Sequence, residues 1–341
     1  MANKLEELEG NPPDQIIEKG HIYFLYRPKV ALDHAEKMND VQKMVLVLSP
    51  GLVKKDMAKT NLNTQQTSDE ASNTAKKTEG ECTIGGIEEQ GEKPEEGDLD
   101  SVPSDRKKRS APSGPEDIEN HELPKYRSIV ISKKKLPDTK KKERIWGYVN
   151  KTASSMKELH EVLDKSHYHT ATMGERTVEP CRPMGEGIYA IVNHERHTHL
   201  VYVLKFPEQI GEIQKKFNIV KEGSYIVSIK NPEADNPPNL GLPDEEKTGF
   251  PERLQQKFKG RKWAPLDTTD FLEHESCEMV FIGATDQVHH ENAEVDEYLR
   301  EAVEADKLNW HQRDQGEEVH IIKKLKLSDE TPTESLFGEW A

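Results

Sequence analysis

The sequence predicts an α+β protein: a mostly antiparallel β-sheet core with a few short helices, split by a long disordered insert and followed by an acidic helical tail. Three observations carry this. Apolar runs of strand length, rich in Val, Ile, Tyr and Phe, end at Gly or Pro. Helical spacing is confined to short stretches. The strands do not alternate with helices in the regular β-α-β order of a parallel sheet. The 341-residue chain is 33% apolar and 33% charged. A globular domain is usually nearer half apolar, so part of this chain is expected not to pack.

The first strands are "GHIYFLYRP" (20–28) and "VQKMVLVLSP" (41–50), each closed by a proline. Between Arg27 and Lys125 there is no aromatic residue, and from about 54 to 123 the composition is Glu, Lys, Ser, Thr, Asn, Gln, Gly and Pro. Such a segment buries too little apolar surface to offset its ordering entropy, roughly 1–2 kcal/mol per residue for the backbone alone. Residues 51–124 therefore read as a disordered acidic insert. Closure cost grows only with the logarithm of loop length, so the strands before it can still join a later sheet.

Order returns at "YRSIVISKKKLP" (126–137) and "ERIWGYVNKTA" (143–153), both strand-like. In "SSMKELHEVLDK" (154–165), Met156, Leu159 and Leu163 recur at helical spacing behind Ser154 or Ser155 as N-cap. "GEGIYAIVNHERHTHLVYVLKFP" (185–207) holds two alternating apolar runs around a polar turn, which reads as a β-hairpin. A short helix at 211–219, a strand at 223–232, a helix at 250–260 with Pro251 in its first turn, and a strand at 277–284 complete the core. The domain reading is thus 15–50 and 125–284 as one core, 51–124 as insert and 285–341 as tail. In the tail, Val288, Val295, Leu299, Ala302 and Val303 share one helical side, which suits packing on the core or on a partner groove. At its end, "ESLFGEWA" sets Leu336, Phe337 and Trp340 among acids, the pattern of a docking motif for a protein partner.

The net charge of −15 is uneven. Residues 51–124 hold 17 acidic and 10 basic side chains, and 285–341 hold 15 and 6, which leaves the candidate core near +1. A near-neutral core has no broad field for nucleic-acid phosphates, so direct nucleic-acid binding is not expected. The opening "MANKLEELEG" has no apolar segment of a secretory signal, and no run approaches the roughly 20 apolar residues of a membrane helix. Cys82, Cys181 and Cys277 are far apart and odd in number, giving neither a disulfide framework nor a Cys-x-x-Cys pair. The expected location is the nucleus or cytoplasm.

The residues that invite a chemical reading are His194, His197 and His199 in the hairpin. Three imidazoles and an open position would suit a catalytic zinc. The H-x-x-H-x-H spacing matches no established metal signature, however, and a polar hairpin turn tolerates histidine. His167 and His169 repeat the i,i+2 spacing. Cys181 has Arg182 beside it, which favours a thiolate. There is no G-x-S-x-G elbow, no Walker lysine and no G-x-G-x-x-G before a helix, so no cofactor is predicted. Arg106, Lys107, Lys108 and Arg109 form a basic run of the nuclear-import type within the insert, and "KKKLPDTKKKER" (133–144) is a second basic run.

The segments "IYFLYR" (22–27), "KKKLP" (133–137), "EGIYAI" (186–191), "HLVYVL" (199–204), "GEIQ" (211–214), "GSYIVSIKNP" (223–232), "FPERLQQKFKGRKWAP" (250–265) and "FIG" (281–283) resemble a poorly characterised family. Its fungal members are often labelled "BTB domain transcription factor". Of the hairpin histidines, His199 alone falls within these segments. The resemblance implies one fold interrupted by a variable insert and supplies no reaction or catalytic residue. No zinc-finger, homeodomain or basic-zipper pattern accompanies it. The resulting expectation is a non-enzymatic interaction protein, nuclear or transcription-associated, that meets protein partners through insert and tail. The alternative is a metal- or small-molecule-dependent enzyme using the hairpin histidines.

Overall fold

Residue alternation along the strands sorts side chains onto an inner and an outer face, and in the computed structural model the inner faces close on one another. The structure describes residues 15–51, 126–172, 174–194, 197–237, 240–284, 295, 297–304, 321, 324–328 and 331–340. The insert from 52 to 125, including the basic run 106–109, lies outside the described residues.

In chain order the elements are β1 (Gln15–Pro28), β2 (Val41–Pro50), β3 (Tyr126–Ile131), β4 (Arg144–Ala153), α1 (Met156–Leu163), β5 (Ser166–Thr170), β6 (Gly174–Val178), β7 (Arg182–His194), β8 (His197–Phe206), α2 (Glu212–Lys216), β9 (Glu222–Lys230), α3 (Glu252–Gln255), β10 (Trp263–Pro265) and β11 (Glu278–Gly283). Eight of the strands form a closed antiparallel barrel, in the order β1-β2-β3-β4-β11-β9-β8-β7 and back to β1. The α+β expectation is thereby corrected to a mostly-β fold. The reason is a long-range pairing: β8 returns onto β9 from His199↔Ile226 to Val203↔Glu222 and removes both sheet edges. Where β8 diverges, the three-residue β10 takes over the same edge of β9, from Pro265↔Ser228 to Trp263↔Lys230. β2 and β3 pair directly across the insert, from Met44↔Ile131 to Leu48↔Arg127.

An eight-stranded barrel has an interior about wide enough for side chains to fill or for one small ligand. Here side chains fill it. Phe24, Tyr189, Tyr202, Tyr225 and Phe281 are buried to within 1% of full burial and belong to one cluster drawn from all eight strands. Phe24 meets Tyr202 at 5.0 Å between ring centres, and Tyr202 stacks on Tyr225 at 6.2 Å. Gly223 makes this possible: it pairs with Tyr202 across the seam, and a Cβ there would lie 2.5 Å from the Tyr202 ring. Segment 250–272 joins the same cluster through Leu254, Phe258, Phe271 and Leu272.

Two outer walls are sealed by other parts of the chain. On β1–β3, Tyr23, Leu25, Val45, Val47 and Val130 pack with Leu159 and Leu163 of α1 and with Ile321, Leu325 and Leu336. Ser155 caps α1 by accepting from the Glu158 amide, and the Arg27 guanidinium closes its other end on the Val162 carbonyl at 2.7 Å. On β7–β8, Ile188, Ala190, Val192, Val201 and Val203 pack with Val295, Leu299, Ala302 and Val303. The apolar stripe of the tail thus faces the barrel; its Val288 lies outside the described residues.

The tail segments are therefore part of the fold, which changes what a truncation does. Leu299→Ala or Leu336→Ala is expected to destabilise the protein by about 2–5 kcal/mol, the range for emptying a buried leucine site. Denaturant unfolding would read this as a lower midpoint at an unchanged slope, whereas an unaltered midpoint would contradict the packing.

Candidate functional site

The hairpin histidines occupy the turn of β7 and β8, as the alternation in their strands requires. His197 opens β8 exposed, while His199 is 4% exposed, with Nδ1 3.3 Å from the Ser224 hydroxyl. His194 lies edge-on to His199 at 5.9 Å. The structure does not assemble a ligand set from them: among the described residues no group of three His, Cys, Asp or Glu side chains is placed to hold a metal ion. His199 is committed to the barrel wall. His167 and His169 sit on the exposed β5 of a separate two-stranded ribbon.

The expected docking motif is also redirected. Leu336 is fully buried, and Trp340 packs against Tyr26 and Phe217 at 5.9 and 6.2 Å. Phe337 alone of the three is exposed, at 54%. The acids around these residues made the segment look unpartnered; its partner is the barrel end. Ser335 donates to the Pro183 carbonyl at 2.6 Å, and the buried Gln214 amide donates to the Ser335 carbonyl at 2.9 Å. Gly338, at φ 86°, lies so close to Gly211 that a Cβ on Gly211 would fall 2.5 Å from its Cα.

Cys82 lies outside the described residues, and both described thiols are buried. Cys181 is buried and accepts from Arg27 Nε at 3.3 Å, and burial pushes the Cys277 thiol far up. Two sites with charged side chains inside the barrel, an Arg127–Glu18 pair and Arg182, were missed by sequence reasoning. Arg127 Nη1 reaches both oxygens of Glu18, at 2.7 and 2.6 Å, and the Tyr189 hydroxyl donates to Glu18 at 2.7 Å. Their signal was present: Glu18 and Arg127 occupy the inward phase that Ile22 and Phe24, and Ile129 and Ile131, define. The second case is Arg182, 4% exposed and directly opposite Tyr26 across β7 and β1. Its Nη2 donates to the Asp33 carbonyl, but its Nε and Nη1 and the Tyr26 hydroxyl are buried without a hydrogen-bond partner. Orphaned buried groups of this kind cost about 1–3 kcal/mol each, more when charged.

The surface most suited to a partner is the third barrel wall, formed by β4, β11 and β9 with β10. Trp146 of β4 and Trp263 of β10 meet edge to face at 5.2 Å. The register places Val280 and Ser228 between them, from Trp146↔Val280 through Val280↔Ser228 to Ser228↔Pro265. Ile226 and Ile282 continue the apolar strip, and all four of these large side chains remain half-buried. Neither outer cluster includes them. Exposed Arg144 flanks one end, and exposed Arg261 and Lys262 precede β10 at the other. Beside the strip, buried Glu278 accepts from the Leu242 amide at 2.7 Å and pins the preceding loop.

No helix among the described residues is long and apolar enough to cross a membrane. Compared with family models, curated proteins and solved structures, the chain matches none.

Two tests follow from the buried groups. Arg127→Met alone leaves Glu18 as an unpaired buried charge and is expected to cost about 3–5 kcal/mol, much of which Glu18→Gln in the same chain should restore. Additive losses in this double-mutant cycle would count against the pair. His274 packs on Phe250 at 5.4 Å, and burial, then the Arg253 charge, lowers its pKa from 6.5. The unfolded chain therefore binds this proton more readily than the folded one. Stability should fall as pH drops below 6.5 towards the depressed folded value. Melting curves of His274→Asn should lose that part of the pH dependence.

Proposed function

We propose that the protein is a non-catalytic interaction protein of the nucleus or cytoplasm, a transcription-associated adaptor that binds protein partners. The observation that supports this most is the Trp146–Trp263 wall. Aromatic side chains left half-exposed on one face, with cations at its rim, match the composition of protein interfaces. Arg144, Arg261 and Lys262 suit an acidic segment that seats apolar side chains on the tryptophans. The acidic insert and the exposed tail residues, Phe337 among them, offer further contacts. The free thiols of Cys181 and Cys277 suit a reducing compartment. The segments that resemble the family labelled as transcription factors fall mainly on barrel strands and on residues that pack into the barrel core.

Deleting 286–341 is a poor test, because it would also strip leucines from two barrel walls. The informative variant is Trp146→Ser with Trp263→Ser, compared with Phe337→Ser, each checked for a native melt. Affinity capture from the source cells should lose a defined set of partners with the double variant and keep them with Phe337→Ser. Capture of the same set by the double variant would sink the wall as the interface. A steep loss of binding with salt, of the kind produced by phosphate neutralisation, would point to nucleic acid instead.

A further inference from the structure

The barrel end that carries Arg182 holds an unmet demand for negative charge. The guanidinium is permanently protonated, yet it is 4% exposed and no carboxylate of the described residues pairs with it. Its one acceptor is the Asp33 carbonyl. Nε and Nη1 are brought against the Tyr26 hydroxyl by the Tyr26↔Arg182 register of β1 and β7, close enough for the guanidinium to act on that hydroxyl, yet none of the three makes a well-formed hydrogen bond. Two other buried arginines are better met: Arg127, at the opposite end of the same barrel, has a carboxylate at 2.6 Å, and each nitrogen of Arg27 finds an acceptor in Cys181 or the Val162 and Asp164 carbonyls.

What lies over Arg182 is a short strap rather than a strand. Residues 333–340 make one 3₁₀ turn, Glu334–Phe337, and lay Trp340 across Tyr26. The strap is held by the bonds of Ser335 and Gln214 and by the burial of Leu336, while Glu334, Phe337 and Glu339 are exposed, with the Glu334 charge still felt at Tyr26. We propose that Arg182 and Tyr26 form the polar floor of a binding site for a small oxyanion, a carboxylate or a phosphate, over which the strap 333–340 closes. In the closed arrangement the donors are shielded. The anion binds when the strap lifts, and its oxygens take the donors that the protein leaves unmet. A cation is repelled by Arg182, and a neutral apolar ligand would leave the donors unpaired. The apparent affinity is reduced by the fraction of time the strap stays closed, so loosening the strap strengthens binding.

The test is calorimetric titration of the full chain with inorganic phosphate and, separately, with acetate and citrate. Trp340→Ala should bind one of these anions roughly tenfold tighter than the wild type, as a shift in the open fraction requires. Arg182→Gln in the Trp340→Ala chain should abolish that binding, and Tyr26→Phe should weaken it. The phosphate and carboxylate titrations identify which oxyanion the site takes. Should Trp340→Ala not fold, Ser335→Ala loosens the same strap, and Arg182→Lys keeps the charge while removing the guanidinium donors. A folded, strap-loosened protein that binds none of the probes up to about 1 mM, a weak affinity on any scale, overturns the proposal. So does binding that Arg182→Gln leaves unchanged.

Discussion

The pairing of β8 with β9 is the constraint on which the rest of the structure depends. Without it, β8 would be one edge of an open sheet, and β9, with the short β10 along part of it, would be the other. With it, the inner faces of eight strands enclose one space that must be filled from within. The chain meets that demand with aromatic side chains, and it supplies room for the largest of them by placing glycine at position 223 beneath the Tyr202 ring. The Tyr202 hydroxyl, buried, accepts from the Val220 amide at 3.2 Å, so the loop that leads into β9 is tied to the centre of the barrel.

Closure also decides how the outer faces behave. A barrel wall of small apolar side chains cannot stay wet at low cost, and the chain covers two such walls with its own helices and tail segments. The third wall is built differently. Its large rings shelter one another, and Arg144, Arg261 and Lys262 border them. That contrast is the physical basis for treating this wall as the outward-facing surface. The two barrel ends differ in the same manner: Arg127 is neutralised by Glu18, whereas Arg182 is covered by a tail strap and pairs with no carboxylate among the described residues.

Much of the fold was legible in local patterns. The alternation of Ile188, Ala190 and Val192 against Tyr189 and Ile191 marked β7, and the spacing of Met156, Leu159 and Leu163 marked α1, capped by Ser155 as one of two candidates. Closure was not legible. The partner of Val201 is Ser224, and nothing in either strand's sequence specifies that register. The candidate site was harder still. The clustered histidines drew attention because metal ligands cluster, yet a strand places His199 in the wall and His197 at its rim. Trp340 looked unpartnered among acids because the surface it packs on comes from β1 and the residue after α2, hundreds of positions away in one case. Trp146 and Trp263 were each visible, but only the register across β11 and β9 brings them together.

Native-state hydrogen exchange along the β8–β9 seam tests the closed barrel most directly. Its amides include Leu204, which donates to the Lys221 carbonyl at 2.7 Å. A closed barrel predicts that seam amides exchange only through global unfolding, as slowly as those of the β1–β2 pair. Rapid exchange along this seam, with β1–β2 still protected, would mean an open edge between β8 and β9 and would contradict the account.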